Sequence, residues 1–206
     1  MLGTGILWFG WFGFNAGSAL AANGLAAQAL VNTHLAAAAA MLSWLGIEKL
    51  RTGHFTTLGA ASGAVAGLVA ITPCAGFVGG VAPIIIGLAA GVVCFLALRL
   101  KLRFKLDDSL DVIAVHLVGG ILGSVLLGLF ADTKVNSLGF DGLFSGGGSK
   151  LLVNQVIAVV ATFAFSFVVT YVVVRILNAT MGIRVSPEDE LAGLDQSQHA
   201  EAAYQA

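Results

Sequence analysis

Charged residues are scarce in this chain of 206 residues: only 10% are Asp, Glu, Lys or Arg, whereas 58% are hydrophobic. The mean hydropathy is +0.94. A typical soluble domain has roughly 25% charged residues. This scarcity excludes a soluble fold over the whole length and predicts an all-α integral membrane protein.

Cysteine and excess positive charge are also lacking. The two cysteines, Cys74 and Cys94, lie in apolar surroundings without the spacing of metal ligands, so we expect core packing rather than a metal or redox site. The net charge is −1, from 10 basic and 11 acidic residues, and it gives no indication of a nucleic-acid partner. We expect no cofactor.

Six apolar runs are long enough, or nearly so, to cross roughly 30 Å of hydrocarbon as helices. Pro73 marks the end of the third run or a kink in it. Glu48–Phe55 is predicted as a charged turn, and the glycine-rich segment Asp132–Lys150 as a linker. We expect a transmembrane domain at 1–177 and a regulatory tail at 178–206. The predicted spans are Leu2–Ala19, Leu25–Gly46, Leu58–Ile71, Pro83–Leu98, Asp108–Ala131 and Leu151–Leu177.

The basic residues predict the orientation of these spans. With six spans, eight of the ten basic residues share one side, and only Lys134 and Lys150 lie on the other. Basic residues accumulate on the cytoplasmic side of membrane proteins. We therefore expect a multi-pass cell-membrane protein, in contact with lipid, with both termini of this chain in the cytoplasm.

His116 is an ionisable residue inside the fifth run, Asp107–Phe130. Such residues are costly in hydrocarbon and usually mark a functional site. We expect the preceding acids to lie at the cytoplasmic entrance, with Asp111 about 7.5 Å from His116 along the helix axis. Two interpretations of His116 stay open, a buried structural histidine and a pore-lining one. Asp108 is first interpreted as a helix cap.

Small residues follow His116 at spacings of four. Such faces let a neighbouring helix approach closely. We therefore expect this helix to pack inside protein rather than against lipid. The small residues are Gly119, Gly120, Gly123, Ser124 and Gly128.

The first span is expected to carry an aromatic face, because spacings of three and four residues bring Trp11, Phe14 and Ser18 together. Such a face can hold a cation, which contributes roughly 0.5 to 2 kcal/mol. Taken alone, an aromatic belt at the membrane surface is the favoured interpretation. His34, among alanines in the second span, is interpreted as a satisfied polar group between helices rather than a ligand.

Five stretches resemble one known family, in the family's order and over nearly the whole chain. They are WFGWFGFNAGSA, VNTHLAAAA, SGAVAGLVAITPCAGFV, DDSLDVIAVHLVGGILG and GIRVSPEDELAGLDQSQHAEAAY. Together they resemble the ammonium transporter (Amt/Mep/Rh) family. The resemblance implies that the six spans form a bundle equivalent to the last six helices of an eleven-helix inverted-repeat transporter. It implies transport of ammonium or ammonia, and no enzyme activity.

The resemblance also implies roles for individual residues. Trp11 and Ser18 match positions that recruit the ammonium ion, and Phe14 matches a gate phenylalanine below them. His116 matches one of two pore histidines. Supporting positions are Asp108, Asp111 and Ser62. The family forms trimers, so a homotrimer is expected for a complete protein, with a PII-type regulator as a candidate partner of the tail.

This chain departs from the family pattern in one respect: no segment of it matches the family's first five helices. Inverted-repeat transporters build their path between two halves, so we expect the chain alone not to transport. A membrane module that only binds or senses is the alternative. An intramembrane hydrolase pairing Ser62 with His116 is disfavoured, because GAASG lacks the G-x-S-x-G elbow.

The orientation can be tested by proteolysis. Protease added outside intact cells is expected to spare Asp195–Ala206, because eight of the ten basic residues predict a cytoplasmic tail. An epitope tag at the carboxyl terminus reports cleavage, and a resident cytoplasmic protein serves as the control for intact cells. Loss of the tag while that control survives would contradict the orientation.

Overall fold

The computed structural model describes residues 1–202, except the side chain of Leu102. The last four residues of the predicted tail, 203–206, lie outside the described residues. A π-helical segment, Ile113–Val118, runs directly into α5. The α-helices in the described part are α1 (Leu2–Gly17), α2 (Gly24–Thr52), α3 (Thr57–Ile71), α4 (Ala82–Phe104), α5 (Gly119–Phe130), α6 (Lys150–Thr180), α7 (Pro187–Ala192) and α8 (Leu194–Ser197).

The order of the long helices confirms the all-α membrane fold. Among the described residues, four helical segments are long and apolar enough to cross a membrane: Gly24–Thr52, Ala82–Lys101, Ile113–Phe130 and Lys150–Thr180. α1, with 16 residues, and α3, with 15, are shorter. α3 ends at Ile71, as Pro73 predicted. The chain divides into two compact units, Met1–Val159 and the residues from Val160 onward. The predicted domain boundary at 177/178 stays a prediction.

The end of α2 differs from the predicted span. The predicted turn Glu48–Phe55 is wrong in its first half, because α2 remains helical to Thr52. The Glu48 carboxylate accepts hydrogen bonds from the amide (3.2 Å) and the hydroxyl (2.8 Å) of Thr56, which starts the next helix. Gly53, at φ +80°, then ends α2 in the left-handed conformation that glycine tolerates.

The fifth span begins later than predicted. Asp111 has a φ of +59°, which a right-handed helix cannot accommodate. Helical structure therefore begins at Val112 rather than at Asp108. His116 lies close to the start of its helix, whose first turn is closed by the Val115 amide donating to the Asp111 carbonyl oxygen at 3.0 Å. The separation of about 7.5 Å between Asp111 and His116 along the axis stays a prediction.

α2 is the central helix of the first unit and packs against α1, α3 and α4. Its alanines Ala36 and Ala40 are fully buried. A Cβ at Gly67 of α3 would approach the Ala36 carbonyl oxygen to 2.5 Å, so the two backbones are nearly in contact. Small residues at such contacts are how membrane helices pack closely. Cys74 and Cys94 are buried free thiols in this core, which confirms their predicted packing role.

The connection between α3 and α4 is a non-helical segment whose backbone groups need partners, because hydrocarbon offers none. Asn32 of α2 supplies two of them. Its Nδ2 donates to the carbonyl oxygens of Ala75 (2.9 Å) and Val78 (2.6 Å). Gln28 Nε2 in turn donates to Asn32 Oδ1 at 2.9 Å, which fixes the orientation of the Asn32 amide. One buried amide of α2 thus holds the connection in place.

The loop between α5 and α6 is tied to this connection. The Asp132 amide donates to the Phe77 carbonyl oxygen at 2.9 Å. Within the loop, Asp141 accepts a hydrogen bond from the Thr133 amide at 2.8 Å. Hydrogen bonds from the Thr133 backbone and side chain, aided by the charge of Lys134, hold the pKa of the Asp141 carboxyl below its ordinary value.

The small residues after His116 differ in whether they contact another helix. A Cβ on Gly123 would overlap the Ala70 carbonyl of α3, and one on Gly119 would lie 3.3 Å from the Cys94 sulfur of α4. These glycines confirm the predicted close approach. A Cβ on Gly120 would meet nothing within 4 Å, so this position is not part of a helix contact within the described chain.

Gly123 and Gly120 form a matched pair for a packing test. Gly123→Ala is expected to destabilise the chain by about 1–3 kcal/mol, because the added methyl forces the α3 backbone away. Gly120→Ala adds the same group in open space and should leave stability unchanged or raise it by up to about 1 kcal/mol. Thermal unfolding in detergent measures both. Equal melting temperatures for the two variants would contradict the contact.

Candidate functional site

His116 lies in the π-helical segment at the start of the fifth membrane helix. Such turns frequently occur at functional sites. The His116 ring is exposed within the first unit and lines an open cavity of about 310 Å³, called here the His116 cavity. His116 is therefore not buried among the residues of the first unit, and its pore-lining role stays a prediction. The other lining residues are Trp11, Val69, Thr72, Pro73, Gly120 and Ser124.

Trp11 reaches the His116 cavity from α1, and its ring has defined partners. The indole Nε1 donates to Thr72 Oγ1 at 2.7 Å. The ring meets Phe14 edge to face, with centroids 6.0 Å apart and planes at 70°. Phe14 itself is 62% exposed. The predicted proximity of Trp11 and Phe14 is therefore confirmed, whereas their roles in recruitment and gating stay predictions.

Ser18 borders a second cavity of about 190 Å³, called here the Ser18 cavity. Its hydroxyl donates to the Phe14 carbonyl oxygen at 2.6 Å, so the lone pairs of its oxygen remain available to accept hydrogen bonds. Thr72 lines this cavity as well as the His116 cavity. Trp11 and Ser18 thus border different cavities that have Thr72 in common.

The acids before His116 hold the start of its helix. The Asp108 carboxylate accepts hydrogen bonds from the amides of Val112 and Ile113, each at 2.9 Å, which confirms the capping interpretation. Lys101 of α4 forms an ion pair with Asp111 and donates to the Asp108 carbonyl oxygen at 2.8 Å. Asp108 and Asp111 support the helix that carries His116 and are not among the residues lining its cavity.

Two other candidates lie apart from the His116 cavity. Ser62 is half-buried in the first half of α3 and is not among the lining residues, so the described structure gives no support to a Ser62–His116 pair. His34 packs beside the rings of Trp8 (5.4 Å) and Phe12 (6.0 Å), and it is exposed rather than enclosed between helices. Among residues 1–202, no group of three or more His, Cys, Asp or Glu is placed to hold a metal ion.

The profile of the Ammonium Transporter Family matches residues 1–204 of the chain. The chain belongs to this family. It is 49% identical to an ammonium transporter of Bacillus subtilis over 205 residues, 99% of the chain and 50% of the relative. It is also 49% identical to ammonium transporter Amt1 of Archaeoglobus fulgidus over 204 residues, 99% of the chain and 51% of the relative. The ammonium transporter family named from the five sequence stretches is confirmed, and it is a family of transporters, not enzymes.

Solved structures of this family agree with the fold. The crystal structure of Candida albicans Mep2 is 37% identical, with a TM-score of 0.85 over 91% of this chain and 43% of that one. A structure described as a sensor Amt protein is 34% identical, with a TM-score of 0.85 over 96% of this chain and 48% of that one. This ammonium transporter family chain is an integral membrane protein, and it spans about half the length of the curated relatives it matches.

Sequence reasoning missed several residues of the site in this ammonium transporter family chain. Thr72, which follows the predicted span Leu58–Ile71, lines both cavities. Asn15, on the aromatic first span, is buried, and its Nδ2 donates to Thr33 Oγ1 at 2.9 Å. The signal for Thr72 was its place directly before Pro73 at the end of a span. Gly120 and Ser124 were assigned to helix packing, but both line the His116 cavity.

The cap at Asp108 can be tested by hydrogen exchange. Asp108→Ala removes the acceptor for the amides of Val112 and Ile113, and the loss of a cap costs about 1 kcal/mol, or roughly fivefold faster exchange of both amides. Asp108→Asn keeps one acceptor oxygen and should retain part of the protection. Exchange measured by mass spectrometry in detergent distinguishes them. Unchanged exchange in Asp108→Ala would contradict the capping role.

Proposed function

We propose that this chain forms one half of a path that conducts ammonium or ammonia across the cell membrane. The observation that carries the proposal is that Trp11 and His116, from different helices, line one cavity in a chain of the ammonium transporter family. Relatives named as ammonium transporters support the same cargo.

Recruitment of the cation is assigned to Trp11 and Ser18, and gating to Phe14. The Ser18 hydroxyl donates to the Phe14 carbonyl oxygen, so its oxygen can only accept a hydrogen bond from a donor such as ammonium. The two rings offer π faces, and attraction to a cation is worth roughly 0.5 to 2 kcal/mol. Phe14 is exposed next to Trp11 and can act as a gate between the entrance and the cavity.

His116 is assigned to the transfer of the cargo through the apolar path. A neutral imidazole carries one donor nitrogen and one acceptor nitrogen, so it can bind ammonia as a donor and ammonium as an acceptor. Histidine is also the side chain best suited to relay a proton near neutral pH. The Asp108 cap and the Lys101–Asp111 ion pair keep the start of this helix in place.

The path needs a second wall. The His116 cavity is open within the first unit, and the chain spans about half the length of the relatives it matches. Inverted-repeat transporters place the substrate path between their two halves. We therefore propose that transport requires a five-helix half in addition to this chain. Assembly as homotrimers and regulation through the tail by a PII-type protein belong to the same proposal.

A second candidate function is sensing without transport. It is favoured by the similarity, with a TM-score of 0.85, to a structure described as a sensor Amt protein. Flux measurements discriminate between the two functions, because a sensor binds ammonium without moving it.

The transport proposal is tested by adding the missing wall. The chain alone in liposomes is expected to give no ammonium flux above background, whereas the chain assembled with the five-helix amino-terminal half of a relative should give flux. In that assembly His116→Ala should reduce flux at least tenfold, since the hydrogen-bonding group of the path is lost. His54→Ala, which changes an exposed histidine outside both cavities, is the matched control.

Flux by the chain alone would contradict the two-wall proposal. Flux by the His116→Ala assembly at the parental rate and with parental selectivity would contradict the role of His116. Binding of ammonium by an assembly that gives no flux would favour the sensor.

A further inference from the structure

Thr72 is common to the walls of the two cavities. It follows the last residue of α3 and precedes Pro73. Its side chain is half-buried and lines both the His116 cavity and the Ser18 cavity. Among the residues that line the two cavities, Thr72 is the one they share.

The hydrogen bonds of Thr72 leave its hydroxyl oxygen with one acceptor site. The hydroxyl donates to the Leu68 carbonyl oxygen at 2.7 Å, as threonines often do with the residue four positions earlier in a helix. The oxygen accepts from Trp11 Nε1 at 2.7 Å. A threonine hydroxyl has one donor and two acceptor sites, so one acceptor lone pair remains.

The same hydroxyl determines the placement of the Trp11 ring. Indole has a single polar group, a donor, and in this structure Thr72 accepts from it. Leu68, whose carbonyl orients the Thr72 hydroxyl, is fully buried in the core. The Trp11 ring is therefore fixed to a rigid part of α3 rather than free to rotate on α1.

We propose that Thr72 positions Trp11 and accepts a hydrogen bond from an N–H of the ammonium or ammonia that moves between the two cavities. This inference rests on the proposed function for its cargo, but the positioning of Trp11 rests on geometry alone. Asn15 also lines the Ser18 cavity, but its amide nitrogen donates to Thr33 Oγ1.

The positioning role is tested on the chain itself by ultraviolet resonance Raman spectroscopy of the indole N–H group. The Trp11 contribution is identified by its loss in Trp11→Phe. Thr72→Val should shift this contribution to that of a weakly hydrogen-bonded indole, whereas Thr72→Ser should retain the parental spectrum. Thr52→Val is the matched control, because Thr52 makes the same type of bond to the Glu48 carbonyl and lines neither cavity.

The cargo role is tested by flux in the assembly with a five-helix half. Thr72→Val should lower kcat/KM for ammonium about tenfold or more, as expected for a lost hydrogen bond to a charged group. Thr72→Ser should stay within about threefold of the parent, and Thr52→Val should match it. Size-exclusion profiles check folding, and Thr72→Ala replaces Thr72→Val if the latter aggregates.

The outcomes separate the parts of the inference. An unshifted Trp11 spectrum in Thr72→Val would overturn the positioning role. Parental kcat/KM in Thr72→Val would overturn the acceptor role. If the parental assembly gave no flux, the cargo role would fall with the proposed function, while a shifted spectrum would still establish the positioning of Trp11.

Discussion

The need to satisfy backbone groups in a medium without water governs this fold. A helix meets that need internally, but the connection from Thr72 to Val81 does not, and it depends on the two hydrogen bonds from Asn32 to Ala75 and Val78. Thr72, at the start of the connection, bonds both α3 and the indole of α1. The same connection lines both cavities, since Thr72 and Pro73 border the His116 cavity and Thr72, Ala75 and Gly76 border the Ser18 cavity.

The positions of the helices were predictable, because an apolar run long enough to span hydrocarbon has few stable structures other than a helix. Their ends were not, since each depends on a contact between distant residues. The end of α2 depends on the bonds from Glu48 to Thr56, and the late start of the fifth helix on Asp111, whose left-handed backbone is paired with Lys101. Neither the hydrogen bonds of Glu48 nor the ion pair of Asp111 leaves a periodic pattern in the sequence.

Part of the site was predictable from the sequence. His116 and Trp11 are conspicuous because charged or polar aromatic groups are rare in an apolar span, and both line the His116 cavity. Thr72 was not conspicuous in the sequence, since threonine is common in membrane helices. Only its hydrogen-bond partners, Trp11 and Leu68, distinguish it. Gly120 was assigned to packing because sequence spacing does not tell which face of a helix meets another helix and which meets a cavity.

Two sets of polar contacts hold residues that line the His116 cavity in place. Asp108 and Lys101 fix the start of the helix that carries His116, and Thr72 fixes the ring of Trp11. Between these polar contacts the helices meet through small residues, such as Gly123 against Ala70, which allow little relative movement because the backbones already touch. A rigid wall of this kind cannot close the cavity by itself. We therefore propose that opening and closing of the path depends on exposed groups such as Phe14, or on the second half that the proposed function requires.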